Sequence, residues 1–353
     1  MRTMGLDKAA LRIIDANLNR SAEGLRVIED VARLVLNHEA LSGELKTLRH
    51  RLVQTGASLQ IDLVWSRDAA RDVGRDTQVQ GEAATRDLQS IIVANSRRSQ
   101  ESLRVLEEMA KAPGIPAGLD PERFKQARFR LYAIEQEILA LLLRRDKLRR
   151  LFGLYVVVDG HWLKGRSHAA VTRQAIEGGA RVIQLREKSL AKKRLLPLAR
   201  ELRRICLESN VLFVINDYLD VALDCEADGL HVGQDDLPVA AARKLLRPHQ
   251  ILGCSASTVE EALAAQSEGA DHIGVGSIFT TSTKDVNVVG IESLREIKRA
   301  VSVPVVAIGG INRENVAAVM EAGADAAAVI TAVTAAEDPA RAARDLVNIV
   351  EGK

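Results

Sequence analysis

The 353 residues carry 27% charged and 47% hydrophobic side chains, a formal net charge of +2 and three cysteines. That length admits two or three domains, and the composition is that of an ordinary soluble globular chain. The near balance of charge excludes a global electrostatic attraction to nucleic acid or to a membrane surface. Cys206, Cys225 and Cys254 lack Cys-x-x-Cys spacing, which argues against a disulfide framework or zinc ribbon and fits a reducing, cytoplasmic setting. The opening MRTMGLDKAALRIID lacks the apolar core of a signal peptide, and no apolar run reaches membrane-spanning length.

Residues 1–148 read as helix almost throughout, with Leu18, Leu25, Ile28, Val31 and Val35 at three- and four-residue spacing. ANLNRSAEGLRVIEDVA (16–32) returns as ANSRRSQESLRVLEEMA (94–110), identical at 10 of 17 positions, and LKTLRHRL (45–52) returns as FKQARFRL (124–131). A period near 80 residues is too long for a solenoid and implies two related helical hairpins about a pseudo-twofold axis. On a helical wheel Leu18, Ser21, Leu25, Ile28 and Ala32 share one face, with Asn17 at its edge. Glu23, Arg26 and Glu29 are expected away from it, yet they return as Glu101, Arg104 and Glu107. Ion pairing at i,i+3 kept from a duplication accounts for this; a polar interface or ligand site between the halves competes. WSRDAARDVGRDTQ (65–78) offers Arg67, Arg71, Gly74 and Arg75 to a phosphate, or is a salt-bridged surface segment.

After RRDKLRR (144–150) the pattern changes. Short Val/Ile-rich runs alternate with amphipathic stretches: LYVVVD (154–159), RVIQLRE (181–187), LFVIND (212–217), GLHVG (229–233), ILGCSA (251–256), HIGVGSI (272–278), VPVVAIGG (303–310) and AAAVIT (326–331). Eight strand–helix units predict a parallel (β/α)8 TIM barrel over residues 149–353, preceded by an all-α domain over residues 1–148. A doubly wound open sheet competes, but no Gly-x-Gly-x-x-Gly fingerprint accompanies the units.

Barrel chemistry sits at the C-terminal strand ends, and these ends are polar. They present Gln184, Arg186 and Lys188, then Asn216 and Asp217, then Asp236, then Ser255. Thr281, Thr283 and Lys284 follow in TTSTKD, and after them Gly309-Gly310 and Ile330-Thr331. Asp217 and Asp236 are hard oxygen donors suited to a Mg²⁺ that keeps waters and bridges phosphates. Arg186, Lys188 and Lys284 suit a diphosphate leaving group, and Gly309 and Gly310 admit a phosphate to backbone N–H groups. Two anionic sites follow, one with metal and one without. His231 reads as a packed strand-end histidine. No Cys or Ser sits in a triad, and no paired histidines suggest zinc.

Residues 151–350 resemble the thiamine phosphate synthase family through QLREK (184–188), INDYLDVAL (215–223), ADGLHVGQDDLP (227–238), GADHIGVGSIFTTSTKD (269–285) and VPVVAIGGINRENV (303–316). The resemblance implies a transferase joining a pyrimidine diphosphate to a thiazole phosphate. It assigns Gln184, Arg186, Lys188, Asn216, Ser255 and Lys284 to the pyrimidine diphosphate, and Asp217 and Asp236 to Mg²⁺. Thr281, Ser282, Thr283, Gly310, Ile330 and Thr331 fall to the thiazole phosphate. Tyr218 departs from the family pattern where a basic residue is common, as do Thr280 and Ser282 where prolines are common, and Thr331 where serine is frequent. The competing functions are a thiazole tautomerase-like barrel and a phosphate-sensing regulator. The helical half resembles the N-terminal extension of fused members, linked to phosphorylation of hydroxymethylpyrimidine phosphate. It carries no Gly-x-x-x-x-Gly-Lys-Ser/Thr loop. Arginine-rich helices equally suit an assembly interface, with a homo-oligomer as its simplest product.

Overall fold

The duplicated apolar spacing forms two long helices, α1 (Lys8–Asp30) and α4 (Leu88–Met109), which pack along one another. In this computed structural model residues 8–54, 57–68, 87–113, 115, 118–281 and 287–352 are described. The small residues of the repeat set the closeness of that seam. A Cβ on Gly24 would come within 2.9 Å of the Asn95 carbonyl oxygen, and the Ser99 hydroxyl donates to the Ser21 carbonyl at 3.4 Å. Asn17 and Asn95 occupy matching positions and bond back to Ile13 and Ile91, each at 2.8 Å.

Each long helix is followed by a partner, α2 (Glu39–Val53) after α1 and α5 (Pro121–Arg149) after α4. A short α3 (Ala57–Ser66) completes the set. Leu25, Ile28, Leu45, Leu52, Leu103, Leu106, Phe124, Leu131 and Ile134 are fully buried and form this unit's core. Two side chains depart from the helical-wheel expectation: Glu29 and Glu107 are buried, at 3% and 4% exposure. The wheel sees one helix, and the next helix supplies what it lacks. Arg49 from α2 reaches Glu29 at 3.0 Å, and Arg128 from α5 reaches Glu107 at 3.0 Å. Arg26 and Arg104 add the expected i,i+3 pairs at 3.3 and 2.8 Å.

The chain divides into two compact units between Leu142 and Leu143, inside α5; the expected boundary at 148–149 lies further along the same helix. In the second unit the eight apolar runs form a closed parallel barrel in sequence order. Its strands are β1 (Gly153–Asp159), β2 (Val182–Arg186), β3 (Leu212–Asn216), β4 (Gly229–Val232), β5 (Ile251–Ala256), β6 (His272–Val275), β7 (Val305–Ile308) and β8 (Ala326–Val329). Side chains alternate along each strand. Tyr155, Val157, Val182, Val214, Val306 and Ala328 point into the barrel, and Leu154, Val156, Ile183 and Phe213 pack outward beneath the helices.

The N-terminal end of the barrel has a recurring clasp. Asp228, Asp271 and Asp325 precede the even-numbered strands β4, β6 and β8. Each accepts a backbone N–H from the first two residues of the preceding strand: Phe213 at 3.0 Å, Leu252 at 2.9 Å and Val305 at 2.7 Å. Arg203, Arg243 and Lys298 neutralise the three carboxylates at 2.9, 3.0 and 2.6 Å. Lys147 adds a second cation to Asp228 at 3.1 Å and Arg144 one to Asp271 at 3.5 Å. Leu148 and Leu151 extend the apolar interior at the same end. The last turns of α5 are therefore part of the barrel's base.

Candidate active site

The C-terminal ends of the strands surround a cavity of about 740 Å³. One polar element of its lining spans three neighbouring strands. The Tyr155 hydroxyl donates to Gln184 Oε1 at 2.9 Å, and Gln184 Nε2 donates to Asn216 Oδ1 at 2.8 Å. Burial pushes the Tyr155 phenol far up, so it stays protonated and remains a donor. A fixed donor orients the Gln184 amide, which orients the Asn216 amide in turn. The Asn216 NH2 is thereby left to face the cavity as a donor.

Arg186 ends β2 and pairs with Asp159 at the end of β1. Lys188, more than half exposed, reaches Asp217 at 3.3 Å. Asp217 leaves β3 with φ +64°, and its N–H donates to the His231 carbonyl at 2.8 Å. Burial, then hydrogen bonding with and the charge of Asp236, push the Asp217 carboxyl up, with Lys188 opposing. Asp236 Oδ2 accepts from Gly233 N–H at 2.8 Å. Two hard carboxylates thus face one another at adjacent strand ends, a donor set that fits a divalent cation. Among the described residues no cluster of three His, Cys, Asp or Glu forms a site. A Mg²⁺ held here would complete its shell with water and phosphate oxygens.

On the next strands Ser255 Oγ lies 3.0 Å from His231 Nε2, and Gln234 Nε2 donates to the Ser255 carbonyl. Burial lowers the His231 pKa to about 4, with Asp236 opposing, so the imidazole is neutral. His272 lies beside it, ring centroids 5.7 Å apart, and is lowered to about 3 by burial and then by His231. The room for both rings comes from missing side chains, since a Cβ on Gly274 would approach His231 Cε1 to 2.8 Å.

Gly309 and Gly310, at φ +103° and +64°, turn the chain away after β7. Side chains are unfavourable at that backbone conformation, and a Cβ on Gly310 would meet the Thr280 carbonyl oxygen at 2.6 Å. Asn315 Nδ2 holds the Gly310 carbonyl at 3.0 Å. Gly310, Thr281, Ile330 and Thr331 line the same cavity as Gln184, Arg186, Lys188, Asn216, Asp217, Asp236 and Ser255. Ser282, Thr283 and Lys284 lie outside the described residues. Tyr155, Asp159 and Gln234 were not singled out from the sequence. Asp159 carried the signal used for every other strand, a polar residue ending an apolar run. Tyr155 sits inside such a run and reads there as core.

A closed parallel barrel with carboxylates, cations and a glycine turn converging at one mouth defines a phosphate-handling (β/α)8 enzyme. The family model for thiamine monophosphate synthase matches residues 154–333, and that of the ThiD2 family matches residues 12–137. The thiamine-phosphate synthase of Synechocystis sp. is 38% identical over 340 residues, covering 96% of each chain. That of Moorella thermoacetica is 50% identical over 199 residues, covering 56% of this chain and 95% of its own. The solved thiamine phosphate pyrophosphorylase of Pyrococcus furiosus is 41% identical with a TM-score of 0.54, over 58% of this chain and 98% of its own. The chain belongs to the thiamine monophosphate synthase family and is a transferase.

Proposed function

We propose that the barrel condenses 4-amino-2-methyl-5-(diphosphooxymethyl)pyrimidine with thiazole phosphate, giving thiamine phosphate and diphosphate. The observation that carries this is the facing pair Asp217 and Asp236, sharing one cavity with Lys188, Arg186 and the Gly309-Gly310 turn. The Asn216 NH2 and the Ser255 hydroxyl present polar contacts to the pyrimidine. The exocyclic C–O bond breaks with its electron pair leaving on diphosphate, assisted by the ring amino group. The thiazole nitrogen then forms the new C–N bond to that carbon. A neutral nitrogen has no proton to lose, which agrees with a site whose two histidines are held neutral and deep.

Charge grows on the leaving diphosphate, and Arg186, Lys188 and Lys284 are the residues to stabilise it. Arg186 and Lys188 reach it by exchanging carboxylate partners, Asp159 and Asp217, for phosphate oxygens. Asp217 and Asp236 would hold a Mg²⁺, which when bound would supply Lewis-acid neutralisation of the same charge. Thr281, Ser282, Thr283, Gly310, Ile330 and Thr331 are assigned to the thiazole phosphate. A tautomerase-like barrel would have no use for the carboxylate pair, and a regulator would bind without turnover. Product analysis with both substrates and Mg²⁺ separates the three: thiamine phosphate and diphosphate in equal amounts are expected, and ligand binding without product would refute the synthase reading.

For the helical unit, the ThiD2 match over residues 12–137 favours a second activity, phosphorylation of the pyrimidine monophosphate to supply the barrel. Arg67 is committed to Asp15 through bonds of 2.8 and 2.9 Å, while Arg71, Gly74 and Arg75 lie outside the described residues. Formation of thiamine phosphate from the monophosphate, ATP, Mg²⁺ and thiazole phosphate by the full chain tests it. A cytoplasmic setting accords with Cys206, Cys225 and Cys254, all free and buried. Among the described residues no helix is long and apolar enough to cross a membrane.

A further inference from the structure

Helices α2 and α5 enclose a second cavity, of about 220 Å³, lined by Glu44, Thr47, Arg51, Arg123, Gln126 and Arg130 among others. The lining residues are matched by the internal repeat. Where LKTLRHRL aligns with FKQARFRL, Arg51 corresponds to Arg130, Thr47 to Gln126, and Glu44, one residue before the first motif, to Arg123. The cavity therefore lies on the pseudo-twofold axis of the helical unit.

The symmetry is broken at one charge. Glu44 forms a two-pronged ion pair with Arg130. Its symmetry mate would join Arg51 to an acid at position 123, but that position is Arg123. Among the described residues Arg51 makes no ion pair, and Arg123 makes only a long 3.4 Å hydrogen bond, to the Gln54 carbonyl. Arg123 is partly desolvated, and burial lowers its pKa; Asp120 opposes that and the nearby Arg51 adds to it. Three guanidinium groups against one lining carboxylate, with Arg51 and Arg123 in no ion pair among the described residues and only the charge of Asp120 acting on Arg123, form a cationic recess where the second carboxylate would stand.

The geometry points to an anion site: the recess between α2 and α5 binds a small dianion, inorganic phosphate or the phosphate of a small ester, through Arg51 and Arg123. Guanidinium forks match phosphate oxygens two at a time. Gln126 adds a neutral donor, and the Thr47 hydroxyl, which donates to the Gly43 carbonyl at 2.8 Å, is a polar neighbour only. The cavity is smaller than the roughly 300–1,000 Å³ that drug-sized ligands occupy, which suits a phosphate bearing a small group or none. The assignment does not rest on the kinase reading of this unit, since phosphate bound here without transfer would sustain the site and leave that reading to fail by itself.

The test is calorimetric titration of inorganic phosphate into the full chain, compared with Arg123→Glu, which restores the second Glu–Arg pair, and with the exposed Arg51→Ala. Because the barrel mouth also takes phosphate, the readout is the difference between proteins. Arg123→Glu should bind one phosphate fewer per chain. Arg51→Ala should weaken that site about tenfold, the loss of one charge-assisted bond. Barrel coupling of preformed substrates should be unchanged in both. Methyl phosphate in place of phosphate distinguishes the sources: equal or tighter binding marks an ester, and weaker binding marks free phosphate. Identical stoichiometry and affinity in wild type and both variants would overturn the site.

Discussion

Tyr155 and Gln184, diagonal neighbours two residues apart in the register of β1 and β2, form a 2.9 Å hydrogen bond in which the phenol is the donor. That bond determines which way two amides face. Tyr155→Phe leaves shape and burial nearly intact but frees Gln184 to flip, so Asn216 no longer presents its NH2 uniquely. We expect the KM for the pyrimidine diphosphate to rise about five- to tenfold, as for one net hydrogen bond of roughly 1 kcal/mol, with that for thiazole phosphate unchanged. Equal loss toward both substrates would show a general packing defect instead.

Asp217→Ala and Asp236→Ala should each lower Mg²⁺-dependent synthesis about a hundredfold or more, the scale of losing one electrostatic contributor to a transition state. Neither residue belongs to the barrel's apolar core, so the unfolding midpoint should stay near wild type. Steady-state rates across a Mg²⁺ titration check this. Near wild-type turnover in both variants would remove the metal assignment.

The base of the barrel predicts how the chain can be cut. A fragment starting at residue 143 keeps Arg144 and Lys147 on Asp271 and Asp228, and should fold and couple the preformed substrates. A fragment starting at residue 149 loses both cations while the two buried carboxylates keep one each. It should be less stable by roughly 2–4 kcal/mol, below the full cost of an unpaired buried charge because Arg243 and Arg203 remain. Denaturant unfolding of the two fragments side by side decides it, and equal midpoints would count against the clasp.

Glu107 predicts an acid response of the helical unit. Burial would raise its carboxyl, but hydrogen bonds from Arg128, Lys111 and Arg104 outweigh that and hold it below the ordinary glutamate range. With the folded-state pKa below the unfolded one, its stabilisation is complete above the ordinary glutamate range. It is lost as pH falls through the depressed folded value. Glu107→Gln should therefore lower stability near neutral pH and flatten its decline in acid. Arg128→Ala should cost about 2 kcal/mol by removing a charge-assisted bond, and Arg49→Ala a comparable amount at the symmetry-related Glu29. Helical circular dichroism followed against pH and denaturant measures both; an unchanged acid transition in Glu107→Gln would show that other carboxylates govern it.

By itself the sequence determined the barrel, its eight strands and the polar set at their ends. Near-continuous Val/Ile runs must be covered on both faces, and parallel strands bring their C-terminal ends to one rim wherever they lie in the chain. Gln184, Asn216, Asp217, Asp236 and Gly310 could be read as neighbours for that reason alone. The duplication was equally legible, since alignment needs no coordinates. Only the tertiary structure decided what crosses from one element to another. Glu29 is polar on the wheel of its own helix and buried because α2 brings Arg49. Tyr155 reads as core until β2 places the Gln184 amide against its hydroxyl. Arg144 and Lys147, a charged linker in sequence, serve the barrel because Asp228 and Asp271 wait at its base. Periodicity reports how one element divides its faces, whereas the energy of a buried charge or hydroxyl depends on the partner that packing delivers.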